Sequence, residues 1–519
     1  VRQLIKKIFS APTKKNGEKK QRGTPISKNL NKNYSYLKNL FQDCDDINFR
    51  RFKIANTNTT ALIVYVDGLT NEDTLSNNVI RMLTTMAKKE VTENIDSSTI
   101  ESRLISISKV TTVKEFDLAV EGLLAGEGLL IIDGISNAFS LETRQWEGRK
   151  VTEPTNEQII RGPREGFTET LRFNTALIRR RIKNNDLKMK SIKVGRESKT
   201  DIVVAYLSNT AKDEVVKEVL KRVSQIDIDG VLESNYIEEL IEERTISPFP
   251  QILNTERPDR AVGHLLEGKV AILVDGSPFV LIVPVTLAQF FHSPEDYYQR
   301  YGYVLVIRIL RFFAFFASTS LPSLYVILTT YRYEMMPIRI VFSIAEGRRE
   351  LPFTPFMEAL LLELAVEFLR EATIRIPSPI GQTIGIVGAL IIGEAAIQAN
   401  LVGPILVIFT AITMLGSFAI PNYSMSSNIR ILRFPILLSV GILGGFGFVI
   451  SWFILIIHIC NLESFGVPFL QPLFPFKSSE QRDTIFRTPF RWMRRRPIET
   501  AGKNVRRQKG VESDNEKKR

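Results

Sequence analysis

The sequence predicts a soluble α/β region in two lobes, followed by an α-helical transmembrane domain of four to five helices. Three observations carry that reading. Mean hydropathy over the 519 residues is near zero, yet residues 1–300 are polar and mixed while most of residues 301–462 are apolar. Within the polar region a single pattern occurs twice. Asp117 opens D-x-A-V-x-x-L-L-x-G and Asp133-Gly134 follows; Asp259 opens the same pattern and Asp275-Gly276 follows. Each copy reads as helix, C-cap glycine, strand and hairpin turn. Third, residues 382–401 (QTIGIVGALIIGEAAIQANL) form an apolar run of 20 residues, the length a helix needs to cross a bilayer.

In chain order, residues 1–33 carry ten Lys/Arg against Glu18, with Pro12, Gly17, Gly23 and Pro25 among them, and are expected to be a disordered basic tail. VRQLIKKIFS has no apolar core of useful length, so no secretory signal is read there and the amino end is expected in the cytoplasm. A first lobe is expected over 34–155. It has a short helix near 34–43, a strand over 60–66 ending at Asp67-Gly68, and a helix over 72–89 from the spacing of Leu75, Val79, Met82, Leu83 and Met86. A second lobe is expected over 156–250, with a helix at 166–183, strands at 187–194 and 201–207, and helices at 212–225 and 236–243. Between them lies the charged run EPTNEQIIRGPREG. Arg161, Arg164 and Glu165 are expected to hold the lobes together rather than bind phosphate, because no glycine-rich loop opens a helix there. Residues 251–300, with the second repeat copy, are expected to join the lobes to the membrane.

The first span is expected at 303–330, with Arg308 and Arg311 snorkelling to the cytoplasmic interface. Residues 356–372 are amphipathic, with Glu363, Glu367, Arg370 and Glu371 on one face, and are expected to lie on the interface. Spans follow at 382–401, 404–420 and 434–459, the last with Gly441, Gly444, Gly445 and Gly447 for close helix contact. Four spans return the basic segment 477–519, expected to be a disordered tail, to the side of the amino end, as positive-inside requires. Arg430 and Arg433 run against that rule, and a crossing at 356–372 would make five. Along 382–401, Ile384, Val387, Ile391, Glu394 and Gln398 fall in one stripe beside a stripe of small residues. A carboxylate at that depth faces either a partner helix or a water-filled path.

Enzyme chemistry has nothing to stand on: the sequence holds no Walker A, HExxH, G-x-S-x-G or G-x-G-x-x-G unit in a suitable setting. Cys44 and Cys460 are too distant for a disulfide framework, and His264, His292 and His458 share no metal-ligand spacing. No cofactor is expected. The net charge of +12 sits mostly in the two ends, which beside a membrane domain points to topology and contact with anionic lipid rather than to nucleic acid.

Residues 153–182 (EPTNEQIIRGPREGFTETLRFNTALIRRRI) closely resemble a signature of the A-subunit family of bacterial spore germinant receptors. The likeness continues through SPFPQ (247–251), TERPDR (255–260), EGKVAILVDGSPFVLIVP (267–284), SPEDYY (293–298) and PSPIGQTIGIVGALIIGEAAIQANLV (377–402). The resemblance implies a multi-pass protein of the spore inner membrane whose soluble lobes face the spore core. It implies work with a transporter-like B-subunit and a C-subunit lipoprotein, and A-subunits that oligomerise around a nutrient-gated cation path. On that reading Ile384, Val387, Ile391, Glu394 and Gln398 line the pore. Two rivals stay open on the residues alone: an ion-coupled secondary transporter subunit using Glu394 and the break at Val402-Gly403, and a non-conducting membrane scaffold.

Overall fold

The structure is a computed structural model and describes residues 24–55, 57–85, 107, 109–144, 153–154, 156–375, 391–476, 481, 483–498, 500–502 and 504–508. The chain divides into two compact units, one of residues 1–42 and 47–146, the other of residues 43–46 and 147–519.

The first unit is built on one antiparallel sheet of β1 (Ile47–Lys53), β2 (Thr60–Val66), β3 (Val110–Val113), β4 (Gly128–Ile132) and β5 (Ala138–Leu141), in the order β1-β2-β4-β5-β3. Helix α1 (Leu30–Leu40) precedes it and α2 (Phe116–Leu124) lies between β3 and β4. Every residue of β4, GLLII, is buried, as expected of a central strand covered on both faces. The expected helix over 72–89 is described to residue 85 and contains a π turn at Ser76–Ile80; residues 86–89 lie outside the described residues.

The second unit repeats this plan. β6 (Leu187–Val194), β7 (Thr200–Leu207), β8 (Leu253–Thr255), β9 (Val270–Val274) and β10 (Val280–Val283) take the order β6-β7-β9-β10-β8. Helix α3 (Leu171–Arg181) precedes them, α4 (Asp213–Ser224) and α5 (Ser234–Ile241) follow β7, and α6 (Pro258–Leu266) lies between β8 and β9. Residues 251–300, expected as a joining segment, therefore supply three of the five strands. Sheet formation decides this: β9, VAILV, is wholly buried and must pair on both edges.

The repeat is deeper than its sequence pattern. Gly126 and Gly268, with φ of 95° and 89°, end α2 and α6 in the left-handed region that the pattern required of them. The aspartates of the two Asp-Gly turns do more than turn the chain. Asp133 Oδ1 accepts from Leu30 N at 3.0 Å, and Asp275 Oδ1 accepts from Leu171 N at 3.1 Å. Each carboxylate thus caps the amino end of a helix about a hundred residues earlier in its own unit, where it also meets the positive end of the helix dipole. Asn33 and Asn174 match likewise: each donates Nδ2 to a backbone oxygen six residues before it, Ser27 O or Thr168 O, at 2.6 Å.

The helical region belongs to the second unit. It comprises α7 (Tyr301–Val326), α8 (Ile338–Gly347), α9 (Pro355–Arg375), α10 (Pro404–Phe418), α11 (Tyr423–Leu443) and α12 (Gly445–Cys460). Two stretches, Tyr301–Tyr331 and Tyr423–Leu443, are long and apolar enough to cross a membrane; Pro404–Phe418 and Gly445–Cys460 are shorter apolar helices. The expected continuous span 434–459 is broken at Gly444, whose φ of 61° no helix accommodates. The chain turns back there, and Ser439 Oγ meets Ser451 Oγ at 2.6 Å across the turn. Gly447 permits the approach, since a Cβ on it would stand 2.2 Å from Ser439 O. One apolar core holds Leu187, Leu253 and Val280 of the sheet together with Met425, Ile429 and Ile459 of the helices.

Replacing Asp275 with Ala should lower the stability of the full-length chain by about 1 kcal/mol, and replacement with Asn by less, since Asn keeps a cap acceptor. Thermal unfolding in detergent measures this. Equal losses for both variants would mean that the carboxylate does not act as the cap of α3.

Candidate functional site

Ile384 and Val387, the start of the expected pore stripe, lie outside the described residues. Ile391–Ala395 forms a π turn, followed by a short helix at Ala396–Gln398. Glu394 and Gln398 are both exposed, and Gln398 Nε2 donates to Glu394 Oε1 at 3.2 Å. The turn stops at Asn400, φ 54°. Gly403 N then donates to Glu358 Oε2 at 3.2 Å, just before Pro404 starts α10.

The three expected hinge residues are not brought together. Arg164 Nε lies 3.9 Å from Glu153 Oε1, with both side chains exposed. Such a pair contributes little. Glu165 binds Arg180 and, at 2.7 Å, Arg181 in the last turn of α3. Arg161 is exposed. Glu153, Arg164, Glu165, Arg180 and Arg181 all belong to the second unit.

The dominant polar feature is a charge layer between α9 and α11. The acidic face of α9, expected on the membrane interface, turns towards arginines. Glu363 is fully buried, with Oε2 at 2.9 Å from Arg433 Nη1. Glu367, one turn on, lies 3.1 Å from Arg433 Nη2 and 3.5 Å from Arg430 Nε. At the other end of α9, Glu358 is buried at 2.8 Å from Arg348, which also reaches Tyr325 Oη at 3.3 Å. Helical periodicity accounts for the geometry: 363 and 367 are spaced i,i+4 and 430 and 433 are spaced i,i+3, so each pair shares one face. In an apolar setting ionised groups persist only when paired. That is why Arg430 and Arg433, anomalous for loop residues under the positive-inside rule, are helix residues instead.

A second charge cluster lies where α7 leaves the sheet. Arg308 and Arg311, expected to snorkel, do not reach solvent freely. Arg308 is fully buried, donating Nε to Asp296 Oδ2 at 3.0 Å and Nη1 to Asp483 Oδ1 at 2.9 Å. Arg311 adds a 2.9 Å contact to Asp296. Asp483 belongs to the segment expected as a disordered tail, yet this segment packs on the second unit. Tyr297 Oη donates to Asp483, and His292 Nε2 meets Thr484 O at 2.7 Å. Further on, Arg496 Nε and Thr500 Oγ1 donate to Leu266 O and Glu267 O, and Arg507 pairs with Glu267. The physical reason is the carboxyl end of α6: its free carbonyls and negative dipole end take up the basic residues.

The lobe is also tied to the helices by neutral groups. Asn254 Nδ2 donates to Ser424 Oγ at 3.2 Å, and Ser247 Oγ and His458 Nε2 share a hydrogen bond of 2.9 Å. Behind Asn254 stands Glu238, 8% exposed. Burial above all, with Glu242 and Glu233 adding, raises its pKa to about 8. Among the described residues no group of three His, Cys, Asp or Glu side chains could hold a metal ion. Fixed ion pairs and polar clamps hold the helices to the lobe and to one another. Sequence reasoning missed Glu358, Arg348, Asp296 and Asp483. The available signal was the recurrence of Glu at 358, 363 and 367 within an otherwise apolar helix, with Arg370 the one basic residue inside it before its last residue.

A family model described as the Bacillus/Clostridium GerA spore germination protein matches residues 35–499. The membrane protein YfkQ of Bacillus subtilis is 41% identical over 91% of this chain and 91% of its own. Spore germination protein KA of Bacillus subtilis is 40% identical over 92% and 88%, and spore germination protein GerLA of Bacillus cereus 38% over 89% and 94%. The crystal structure of the N-terminal domain of the A subunit of the Bacillus megaterium spore germinant receptor GerK3 is 35% identical, covering 51% of this chain and 98% of that one with a TM-score of 0.41.

Arg433→Ala should destabilise the full-length chain by about 3–5 kcal/mol, because it leaves Glu363 buried without a partner. Arg433→Ala with Glu363→Gln should recover some of that loss, and no recovery would exclude the pair as its origin. A second outcome concerns pH. Since the folded pKa of Glu238 is about 8 against 4.5 for the free group, the folded state favours the protonated form. Its contribution is full below pH 4.5 and is lost as pH rises through 8. Glu238→Gln should therefore flatten the decline of the melting temperature between pH 5 and 9, and parallel curves would count against a buried acid.

Proposed function

This chain belongs to the Bacillus/Clostridium GerA spore germination protein family, and on that premise we propose that it is the A subunit of a nutrient-sensing spore germinant receptor. The observation that carries the reading is the extent of the match: residues 35–499 take in both sheets, the helices and the C-terminal segment. The subunit works in the spore inner membrane with a transporter-like B-subunit and a C-subunit lipoprotein, and nutrient is taken by the partner. Copies of this chain oligomerise and form a cation channel that opens when nutrient is sensed.

The arrangement of the helices supports an even number of crossings, with the lobes on the spore-core side. Arg308 near the start of α7 and His458 near the end of α12 both bind groups of the sheet-bearing lobe. Helix α9 runs antiparallel to α11, since Glu363 faces Arg433 while Glu367, further along, reaches back to Arg430. At 21 residues α9 is about 31 Å long, enough to cross. If α9 and the short helices α10 and α12 cross as α7 and α11 do, the expected span at 382–401 brings the number of crossings to six, against the four or five read from the sequence. Both chain ends still finish on one side.

In this reading the stripe Ile384, Val387, Ile391, Glu394 and Gln398 lines the ion path. The exposed, mutually bonded Glu394 and Gln398 support it, for a structural carboxylate at depth would be paired with a cation as Glu363 is. Apolar side chains at Ile384, Val387 and Ile391 close a narrow bore by dewetting, and a ring of Glu394 carboxylates favours cations. Spores carrying Val387→Ala should leak or germinate several-fold more often without nutrient, while Leu390→Ala changes little. Glu394→Gln should reduce cation preference with assembly intact. Equal effects from Val387→Ala and Leu390→Ala, or lost assembly in Glu394→Gln, would replace the channel with a packing role.

A further inference from the structure

A cavity of about 350 Å³ opens in the second unit between the sheet-bearing lobe and the helix ends. The lobe contributes Asn156, Glu157, Ile159 and Ser293; the helices contribute Arg370, Phe418, Ile420 and Tyr423. We propose that this cavity binds a phosphate anion, as carried by the head group of an anionic phospholipid, with Arg370 as its principal ligand and Arg430 behind it.

The charges are unequal. Arg370, Arg430 and Arg433 converge on Glu363 and Glu367, which leaves one guanidinium in excess. The excess is visible as unmet hydrogen bonds. Arg370 Nη1 is buried with no hydrogen-bond partner among the described residues, and its guanidinium carbon stands 5.1 Å from the Phe418 ring centroid. Arg430 is 7% exposed; its Nη2 donates to Ser427 Oγ at 3.2 Å, while Nη1 has no hydrogen-bond partner among the described residues and Nε has only Glu367 at a long 3.5 Å. A buried guanidinium with unmet donors is costly, and an anion removes the cost. The carboxylate of the cavity wall does not supply it: Glu157 is committed to Arg260, Thr255 Oγ1 and Glu256 N.

Position and wall chemistry favour a lipid as the carrier. The cavity lies at the amino end of α11, where Asn254 of the lobe meets Ser424, so it sits at the boundary between soluble lobe and membrane. Arg430 is seven residues from Tyr423, about 10 Å along the axis, a depth reached by head groups and the upper acyl chains. Basic pockets between membrane helices on the cytoplasmic side take anionic head groups. Phe418 and Ile420 give the cavity an apolar wall beside Arg370, which suits a phosphate that continues into a chain. The volume is at the small end for ligand sites, enough for a glycerophosphate group with its chains outside. A zwitterionic amino acid fits less well, because its ammonium would meet arginines and an already committed carboxylate.

The full-length chain, reconstituted in nanodiscs of phosphatidylcholine with or without phosphatidylglycerol, tests this by native mass spectrometry and thermal unfolding. Wild type should retain phosphatidylglycerol several-fold over phosphatidylcholine and melt higher in its presence. Arg370→Gln should lose both effects. Ile159→Glu, which adds a carboxylate from the lobe side without touching α9 or α11, should do the same if Arg370→Gln does not fold. Arg349→Gln, at an exposed arginine elsewhere, should leave both effects unchanged. Stabilisation of wild type but not Arg370→Gln by millimolar inorganic phosphate, without lipid selectivity, would keep the anion site and make its occupant a soluble phosphate. Retention that is equal in wild type, Arg370→Gln and Ile159→Glu overturns the proposal.

Discussion

A guanidinium withdrawn from water has to meet a carboxylate, and the second unit is arranged around that requirement. Arg308, Arg433 and Arg179 are each essentially buried, and each has its acid: Asp296 with Asp483, Glu363 with Glu367, and Asp46. Such pairs add little net stability compared with apolar packing, but breaking one leaves an isolated buried charge. Their effect is therefore to forbid alternatives. Helix α9 cannot rotate without separating Glu363 from Arg433, and α7 cannot slide without separating Arg308 from both aspartates. In a helical region whose remaining contacts are mostly apolar and non-directional, these charges select one register.

The duplicated sheets separate what is needed for the fold from what is added for the membrane. Strand order, the left-handed glycines after α2 and α6, and the aspartate caps recur in both copies. They satisfy backbone groups that any sheet of this plan must satisfy. The second copy shares its core with the helices that follow it: Phe249, Phe290 and Phe291 pack in one cluster with Met425, Ile429, Ile459 and Phe469. The core of the first copy, around Ile63, Val79, Leu130 and Phe139, is made within its own unit. In the second unit the plan thus also serves as a platform for helix ends.

Local features were legible in the sequence because their causes are local. The two D-x-A-V copies carried helix, cap and hairpin, and alternation or continuous apolarity located most strands. What could not be read depended on residues far apart. Asp133 and Asp275 were legible as turn residues, but their roles as caps rely on partners 103 and 104 positions away. Helix α9 read as interfacial because one face is charged and mostly acidic; the arginines that cover it lie 63 to 70 positions on. The basic C-terminal segment read as disordered from composition alone, while its order comes from the carbonyls of α6. Of the pore stripe, periodicity gave the shared face, and the structure describes only its carboxyl end.

The ties between lobe and helices also constrain how a signal could pass between them. Arg308 holds α7, Asn254 holds the start of α11, and Ser247 holds the end of α12 to one lobe. Three helices fastened at the same end to a shared core move with it as a block, since packed interiors deform little. Relative motion must then be taken up where the ladder of helix hydrogen bonds is already irregular. Residues 391–403 meet that condition: a π turn, the left-handed Asn400 and the extended Gly403 follow one another before α10 resumes. π turns are frequent at functional sites for this reason. Their neighbour Glu358 is bonded to Gly403 N on one side and Arg348 on the other, so the irregular segment is anchored to α9 rather than to the lobe. Because α9 is itself held to α11 through Glu363 and Arg433, a displacement of the lobe with α7, α11 and α12 would carry α9 along and be taken up within the irregular segment, close to Glu394 and Gln398.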